Sequence, residues 1–579
     1  MSATARPISA VRGEEFSRSF TNSLTDFGDW SQIEPLYARL EEEIQSIQTP
    51  AELEAWLLRR SELGAALSEE YSRRNIASTC QTDGPAAEKA FLHFLENILP
   101  KLRPWEDRLN RAYLQNPARS SLDRQRLAVH DRVIERDVEL FREENVPLKT
   151  EEQKLAKEYL KITGAMTVHW RGEERTLQQM APVLEETDRS TREAAWQAMW
   201  QRRLQDRERI EAIMDELIAL RTRIARNAGF DNFRDYQHAA YCRFDYTPDD
   251  CIAFQHAIET EVVPLLKRLR EKRRQELAVE SLRPWDLDVD PQGRQPLVPF
   301  HDAAELEEKV GRIFAALNRD LGAEYQIMRD RGLLDLASRK GKAPGGYCDT
   351  LQEVRLPFIF MNAAGTNDDV MTMLHEGGHA FHAFATRTEP LLPYRENIPI
   401  EFCEVASMSL EIFGLDHLSL FYDNPEDVAR AREGHFEGLL GLFPWIATID
   451  AFQHWLYLNP QHTHAEREAA WLDLCRRFAP VVDWSGLEDA QRSLWQRQLH
   501  LFKVPFYYVE YGIAQVGALQ LWLNYQNDPA ATLEAYRRAL ALGGSRPLPE
   551  LFAAAGARFD FTRQTLRPIM EQVARELRL

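Results

Sequence analysis

The sequence predicts a mostly α-helical protein with one small β-sheet. Apolar residues recur about every 3.6 positions through most of the chain, which is the period of an amphipathic helix. One short apolar run, Leu356–Met361, instead has the length and composition of a strand. The sequence contains no internal repeat of solenoid length, so the helices are expected to pack around ordinary globular cores.

Length and charge limit the class of protein. The chain has 579 residues, of which 44% are hydrophobic and 28% are charged, values typical of a soluble globular protein. The formal net charge is -19, and such a surface repels nucleic acid and anionic lipid. Nucleic acid and membranes are therefore not expected as partners. The oligomeric state is not indicated by the sequence.

Cysteine use and the N-terminus bear on location. The six cysteines contain no CxxC pair, which indicates a reducing compartment. The first residues lack the basic-then-apolar pattern of a secretory signal, and no apolar run is long enough to span a membrane. The sequence therefore predicts a cytoplasmic protein.

The first half of the chain is predicted to be helical, with one interruption. Its first amphipathic stretch carries apolar residues at helical spacing, namely Leu53, Trp56, Leu57, Leu63 and Leu67. Further helical stretches are predicted over residues 85–115, 122–145, 150–162 and 190–228. Between the last two stretches, Met166–Trp170 has the composition of one short strand.

Two irregular segments interrupt the second half of the chain. Prolines and glycines between 277 and 300 exclude a long helix, so a long ordered connection is expected there. A second break, at 341–348, leads into the strand Leu356–Met361. Pro357 near the start of this strand favours an edge position, because proline donates no hydrogen bond to a sheet ladder. A peptide substrate could then pair its main chain with this strand.

The motif that carries chemistry is His375-Glu376-Gly377-Gly378-His379. Residues four apart share one face of a helix, so both imidazoles can bind one metal ion. Glu376 lies beside them, placed to take a proton from a metal-bound water molecule. Thr366 and Asp369 have the spacing of a capping box that would start such a helix. The motif therefore predicts a zinc site on a helix.

Two features of the motif raise further expectations. Gly377 and Gly378 each weaken a helix by about 1 kcal/mol relative to Ala, which indicates that a backbone or a substrate approaches closely. A catalytic zinc also needs a third protein ligand from another element. Glu401, Glu404 and Glu411 are the candidates in one helical stretch, and spacing alone does not choose among them.

Four segments around the motif carry a family resemblance, namely His375–His382, Pro357–Asp369, Phe402–Ser407 and His500–Tyr511. In this order they resemble the HExGHxxH signature, the strand and loop before it, the glutamate-ligand segment and the His/Tyr loop of one family. This is the thimet oligopeptidase and oligoendopeptidase F family of zinc metallopeptidases, and the resemblance is nearer to its oligoendopeptidase branch. Gly377 departs from the family pattern, which usually has a larger apolar residue there.

The resemblance implies a fold and a reaction. The implied fold has two helical lobes that enclose a deep substrate channel, with a small sheet next to the motif helix. Residues 1–190 would form the N-terminal helical lobe and residues 191–579 the catalytic zinc metallopeptidase domain. Because such a channel excludes folded proteins, the implied activity is zinc-dependent hydrolysis of internal peptide bonds in short oligopeptides.

The resemblance also implies roles for the site residues. One Zn2+ per chain would be bound by His375, His379 and Glu404, the last chosen by its match to the glutamate-ligand segment. Glu376 would activate the zinc-bound water. The oxyanion of the intermediate would receive hydrogen bonds from three further residues, namely His500, Tyr508 and Tyr511.

Two other functions stay open at this point. A metallocarboxypeptidase with the same zinc chemistry also uses HExxH, although the His500–Tyr511 segment favours the endopeptidase. An inactive peptide-binding protein is less favoured, because the complete set of motif and ligand residues is present. The sequence also leaves Co2+ and Mn2+ open as the working ion.

Overall fold

The computed structural model describes residue 16 and residues 18–339, 341–343 and 345–579. The first fifteen residues, on which the expected lack of a secretory signal depends, lie outside the described residues. The chain forms two compact units from interleaved segments. The first unit contains Met1–Thr150, Phe300–Leu420 and Gly517–Phe559, and the second contains Glu151–Pro299, Phe421–Val516 and Asp560–Leu579. The expected domain boundary after residue 190 stays a prediction.

Helices dominate the described residues, which confirms the mostly α fold class. In chain order the first twelve are α1 (Trp30–Ser46), α2 (Pro50–Cys80), α3 (Pro85–Asn97), α4 (Leu99–Gln115), α5 (Arg124–Leu140), α6 (Asn145–Gly164), α7 (Arg189–Leu204), α8 (Arg207–Asn227), α9 (Phe233–Ala240), α10 (Pro248–Glu261), α11 (Val263–Glu276) and α12 (Ala303–Leu317). The next twelve are α13 (Arg319–Arg331), α14 (Asn367–Ala385), α15 (Leu392–Glu396), α16 (Ile400–Gly414), α17 (Pro425–Leu458), α18 (His464–Phe478), α19 (Glu488–Arg492), α20 (Leu499–Lys503), α21 (Tyr508–Asn527), α22 (Pro529–Leu540), α23 (Leu548–Ala555) and α24 (Arg563–Glu576). In the part of the chain that the structure describes, none of the helices has both the length and the apolarity of a membrane span.

The predicted connection between 277 and 300 is confirmed. Between α11 and α12 the chain forms no long helix; it contains a 3-10 turn at Pro284–Asp286 and an isolated bridge from Leu282 to Val482. Asp286 is fully buried and accepts hydrogen bonds from two arginines of α7, Arg189 Nε at 3.0 Å and Arg192 Nη2 at 3.0 Å. A buried carboxylate with two guanidinium partners is strongly held, so this long connection is ordered.

A two-stranded antiparallel sheet occupies the interruption after α6. The predicted strand is β1 (Thr167–Trp170), and it pairs with β2 (Glu173–Thr176). The sequence did not indicate β2, because its four residues are polar or charged and none of them is buried. Without an alternation of apolar and polar residues there is no strand signal to read.

A three-stranded sheet in the first unit contains the predicted apolar strand. Its strands are β3 (Leu334–Ala337), β4 (Tyr347–Leu351) and β5 (Leu356–Ala363), in the order β3-β5-β4. β5 is therefore central, and the expected edge position is wrong. The pairing of β5 with a peptide was expected from that edge position and so loses its basis. Parallel pairing with β3 begins only at Ile359, so Pro357 lies before the point where β5 has neighbours on both sides.

The motif helix α14 packs against this sheet and against α16. Its apolar face is fully buried, with Val370, Met373, Leu374 and Phe381 at most 1% exposed. Each such side chain contributes about 1.5–3 kcal/mol by leaving water. The small sheet expected next to the motif helix is confirmed. Because one face of α14 packs on this sheet, the sheet also determines which face of α14 points away from it.

Candidate active site

The first turn of α14 is held by the predicted capping box. Thr366 Oγ1 accepts from the Asp369 N–H at 3.3 Å, and Asp369 Oδ2 accepts from the N–H groups of Ala364, Gly365 and Thr366 at 2.8–2.9 Å. These bonds satisfy backbone donors that a helix start leaves without partners inside the helix. The helix therefore begins at a defined residue, and the rotation of the motif about the helix axis follows from it.

The two motif glycines let other groups reach the α14 backbone, as expected. A Cβ atom on Gly378 would lie 2.4 Å from Ser407 Cα and 2.6 Å from the Ala406 carbonyl oxygen, both in the backbone of α16. A Cβ atom on Gly377 would lie 2.5 Å from Cζ of the Phe314 ring. The expected close backbone is thus present at Gly378, and an aromatic ring fills the corresponding space at Gly377.

The close approach of α14 and α16 brings three potential metal donors together. One donor atom from each of His375, His379 and Glu404 lies within 4.8 Å of the other two. Glu404 Oε2 lies 3.3 Å from His375 Nε2 and 3.6 Å from His379 Nε2. Two imidazoles and one carboxylate are a donor set that zinc accepts at catalytic sites. The assignment of these residues as ligands stays a prediction.

Glu411 contacts the opposite side of the first imidazole. Glu411 Oε1 lies 2.7 Å from His375 Nδ1, so the Nδ1 proton is shared with a carboxylate and Nε2 is turned toward Glu404. A carboxylate on the second ring nitrogen is the usual support for a metal-binding histidine. Glu401, the remaining candidate, is buried on α16 and is not part of the donor group.

The electrostatics of the donor group favour a bound cation. Burial alone would lower the pKa of His375, but its hydrogen bonds to Glu404 and Glu411 outweigh burial and raise that pKa well above its ordinary value. Burial lowers the pKa of His379 to about 4, so this imidazole is neutral at neutral pH, as a metal ligand must be. The carboxylates of Glu404 and Glu411 thus attract positive charge to the donor group, where the neutral imidazole of His379 can bind a cation.

Glu376 is a buried carboxyl group beside the donors. Burial raises its pKa to about 7, with the carboxylates of Glu404 and Glu411 acting in the same direction and His375 against them. The backbone of Cys348 also acts to lower this pKa, as the smallest of these effects. Glu376 Oε2 is buried and has no hydrogen-bond partner within the residues described. A buried carboxylate oxygen without a hydrogen-bond partner marks a position where a water molecule or a ligand would donate to it.

The second unit brings the other predicted residues together. The ring centroid of His500 lies 4.8 Å from that of Tyr508 and 5.6 Å from that of Tyr511, and the two tyrosine rings are 5.3 Å apart. Burial raises the pKa of Tyr508 to about 12. This hydroxyl therefore keeps its proton near neutral pH and is available as a hydrogen-bond donor.

Two buried arginines hold the segment that joins His500 to Tyr508. Arg221 donates to the Leu501 carbonyl at 2.8 Å and to the Phe502 carbonyl at 2.6 Å. Arg243 donates to the Phe506 carbonyl at 2.5 Å, and Phe506 has a left-handed backbone with φ 66°. Neither arginine was predicted, because a buried arginine has no sequence signal that separates it from a surface one.

Replacing Glu404 tests the assignment of the third ligand. Glu404→Gln is expected to weaken zinc binding by about 100-fold or more, because it removes the anionic donor and leaves two neutral imidazoles. Zinc affinity would be measured by competition with a chromophoric chelator. The matched control is Glu401→Gln, one turn earlier on the same helix, which is expected to bind zinc as the unchanged protein does. Zinc loss by the Glu401 variant alone would contradict the assignment.

Family models match most of the chain. The model described as Peptidase family M3 matches residues 183–571, and the model described as Peptidase M3 N-terminal domain matches residues 25–141. The first match alone covers more than half of the chain and includes the whole donor group of α14 and α16.

Individual proteins of known description are also similar. Oligopeptidase PepF of Bacillus subtilis is 24% identical over 51% of this chain and 43% of its own length. Group B oligopeptidase PepB of Streptococcus agalactiae is 21% identical over 65% of this chain and 61% of its own length. The matched part is thus less than two thirds of either relative.

Solved structures agree along almost the full length. An X-ray structure assigned to oligoendopeptidase F superposes with a TM-score of 0.92 at 30% identity, covering 97% of this chain and 99% of the other. PZ peptidase A with an inhibitor gives a TM-score of 0.91 at 28% identity with the same coverage.

Proposed function

Because the chain belongs to peptidase family M3, on its oligoendopeptidase F-like side, we propose that it is a zinc-dependent endopeptidase that hydrolyses internal bonds of short oligopeptides. The observation that carries the proposal is the group formed by His375, His379 and Glu404 on two touching helices, with Glu376 buried beside it. The names of the relatives, oligopeptidase and oligoendopeptidase, support the substrate class.

The donor group fits a zinc ion. Its nitrogen and oxygen atoms converge within 4.8 Å, His379 is neutral at neutral pH, and Glu376 Oε2 is a buried oxygen with no partner among the described residues. His375, His379 and Glu404 would hold the ion. When bound, zinc supplies Lewis acidity and lowers the pKa of a coordinated water molecule to about 7. Co2+ or Mn2+ would suit the same donors, so the choice of zinc is part of the proposal.

Glu376 would move the proton of the reaction. With a pKa of about 7, its carboxylate can take a proton from the attacking water near neutral pH and give it to the leaving amine. Glu411 would keep His375 in the orientation that a metal requires, since it bonds the Nδ1 side of the ring.

His500, Tyr508 and Tyr511 would donate hydrogen bonds to the oxyanion that develops when the peptide carbonyl is attacked. The support for this part is the resemblance of the segment His500–Tyr511 to the His/Tyr loop of the family. The raised pKa of Tyr508 also suits a donor, because the hydroxyl proton is present at neutral pH. A cytoplasmic location and a domain boundary near residue 190 complete the proposal, the former from the sparse cysteines of the sequence.

The experiment that tests the proposal is digestion of a mixed pool of short synthetic peptides, followed by mass spectrometry. We expect cleavage at internal bonds that stops when zinc is removed by a chelator and returns when zinc is added. Release of single C-terminal residues would instead assign a metallocarboxypeptidase. A zinc-loaded protein that binds the peptides without cutting them would assign a peptide-binding protein.

A further inference from the structure

Gln498 lies two positions before His500 and links it to Trp445 of α17. The Trp445 indole N–H donates to Gln498 Oε1 at 3.0 Å, and Gln498 Nε2 lies 2.7 Å from His500 Nδ1. All three residues belong to the second unit, and neither Gln498 nor Trp445 stands out in the sequence. Together these two contacts decide which nitrogen of His500 carries the proton.

The direction of each bond follows from the chemistry of the groups. An indole nitrogen can only donate, so the Gln498 amide must turn its oxygen toward Trp445. The amide NH2 then faces His500, and because it too can only donate, His500 Nδ1 must accept with its lone pair. A neutral imidazole has a single proton, so that proton is on Nε2.

The proton on Nε2 points toward a second predicted residue. His500 Nε2 lies 3.4 Å from the Tyr511 hydroxyl oxygen, within reach of a weak hydrogen bond in which His500 donates. In this bond the Tyr511 oxygen accepts, so Tyr511 does not donate its own proton to His500. Tyr508 lies beside the same group, with its ring centroid 4.8 Å from that of His500 and 5.3 Å from that of Tyr511. The opposite tautomer would make Nε2 an acceptor and would draw the Tyr511 proton toward His500.

We propose that Gln498, oriented by Trp445, is a positioning residue that fixes His500 as the Nε2–H tautomer. His500 then donates to Tyr511, and Tyr511 directs its own proton to the oxyanion of the substrate. The bonds form a row that runs from Trp445 through Gln498 and His500 to Tyr511. Every bond in this row points in the same direction, so each donor polarises the next donor and strengthens the final bond, which Tyr511 makes. This inference rests on the proposed function of Tyr511 as an oxyanion donor, and it assigns His500 to act through Tyr511 and not on the oxyanion directly.

The surroundings keep this geometry in place. Arg221 holds the carbonyls of Leu501 and Phe502, directly after His500. Arg243 holds the Phe506 carbonyl before Tyr508, and the Phe506 N–H donates to Gln453 Oε1 at 2.5 Å. The backbone between His500 and Tyr508 is thus held by these bonds, so the tautomer is decided by Gln498 and not by movement of the loop.

Nitrogen-15 NMR of histidine-labelled, zinc-loaded protein tests the tautomer directly, because protonated and unprotonated ring nitrogens have well separated shifts. The His500 signals are assigned by their loss in His500→Asn. We expect an unprotonated Nδ1 and a protonated Nε2 in the unchanged protein at a pH where the imidazole is neutral. A protonated Nδ1 would overturn the proposal, whatever the activity.

Two variants test what sets the tautomer. Trp445→Phe lets the amide turn over, and Gln498→Met removes it, so both should give a mixture of tautomers. We expect kcat to fall about tenfold with little change in KM. This fall is smaller than the roughly 100- to 1000-fold fall in kcat that follows the loss of an oxyanion donor. Trp455→Phe, on the same helix, is the matched control and should leave tautomer and kcat unchanged. Variants that lower Tm but leave the tautomer and kcat as they are would overturn the proposal.

The positioning role of Gln498 and the oxyanion role of Tyr511 predict different results. Tyr511→Phe removes the final proton of the row and should lower kcat at least as far as Trp445→Phe does. The double variant should then lose no more than Tyr511→Phe alone, because both changes act through one proton. Additive losses would overturn the positioning role and leave the oxyanion role intact. An active Tyr511→Phe protein with the expected tautomer would instead contradict the oxyanion role.

Discussion

Glu376→Gln is expected to lower kcat/KM for internal peptide cleavage by about 1000-fold or more, which is an effect of the size that general acid–base residues produce. Glutamine has nearly the same shape as glutamate, but it cannot take a proton from water. The measurement is the cleavage rate of a single fluorogenic peptide, with zinc content and Tm determined on the same samples. Both are expected to stay close to those of the unchanged protein.

Matched variants make this result specific for proton transfer. Glu376→Asp keeps the carboxylate but shortens it by one methylene, and we expect it to recover part of the activity. The Glu401→Gln protein controls for loss of a buried carboxylate elsewhere in the same unit. Cleavage at the normal rate by zinc-loaded Glu376→Gln would show that Glu376 does not carry the proton.

Gly378→Ala is expected to destabilise the protein by about 3 kcal/mol and to weaken zinc binding, because overpacking of this kind forces the backbone to move. The new methyl group would lie 2.4 Å from Ser407 Cα and 2.6 Å from the Ala406 carbonyl oxygen. Backbone atoms cannot swing aside, so α16 must shift and carry Glu404 with it. Alanine otherwise favours a helix by about 1 kcal/mol over glycine, so the expected sign depends on this contact alone. Thermal unfolding and zinc affinity measure the two effects.

The same exchange at another glycine is the control for Gly378→Ala. Nothing lies within 4 Å of a Cβ atom on Gly438 in α17, so Gly438→Ala should stabilise the protein by about 0.5–1 kcal/mol. Gly377→Ala should fall between the two, because its neighbour is the Phe314 ring and a side chain yields more easily than backbone. A Gly378→Ala protein with unchanged Tm and zinc affinity would show that α14 and α16 separate without strain.

The sequence predicted the motif helix because its signals are local. The capping box needs only Thr366 and Asp369, and the shared face of His375 and His379 follows from helical periodicity. The choice among three glutamates is not local. It depends on how α16 is rotated against α14, which is decided by the contact at Gly378, so spacing left it open and only the family resemblance pointed to Glu404.

Other parts of the fold depend on partners far along the chain. Pro357 has no N–H to donate, and for this reason the sequence favoured an edge strand. The sequence could not show that β3 pairs with β5 only from Ile359, beyond the proline. The direction of the Gln498 amide depends on Trp445, which lies more than fifty positions earlier in the chain. Neither pairing leaves a periodic or compositional trace.

The interleaved first unit has a consequence for the synthesis of the protein on the ribosome. The helix that carries Glu404 is supported by late residues: Val405 and Phe552 both press on Gly517, and the Tyr536 hydroxyl donates to the Ala406 carbonyl at 2.8 Å. Domains usually fold as units while the chain emerges. Here the contacts that support α16 are complete only when residues beyond 550 have left the exit tunnel. On the proposed function, the chain would gain its full peptidase activity only when its synthesis is almost finished.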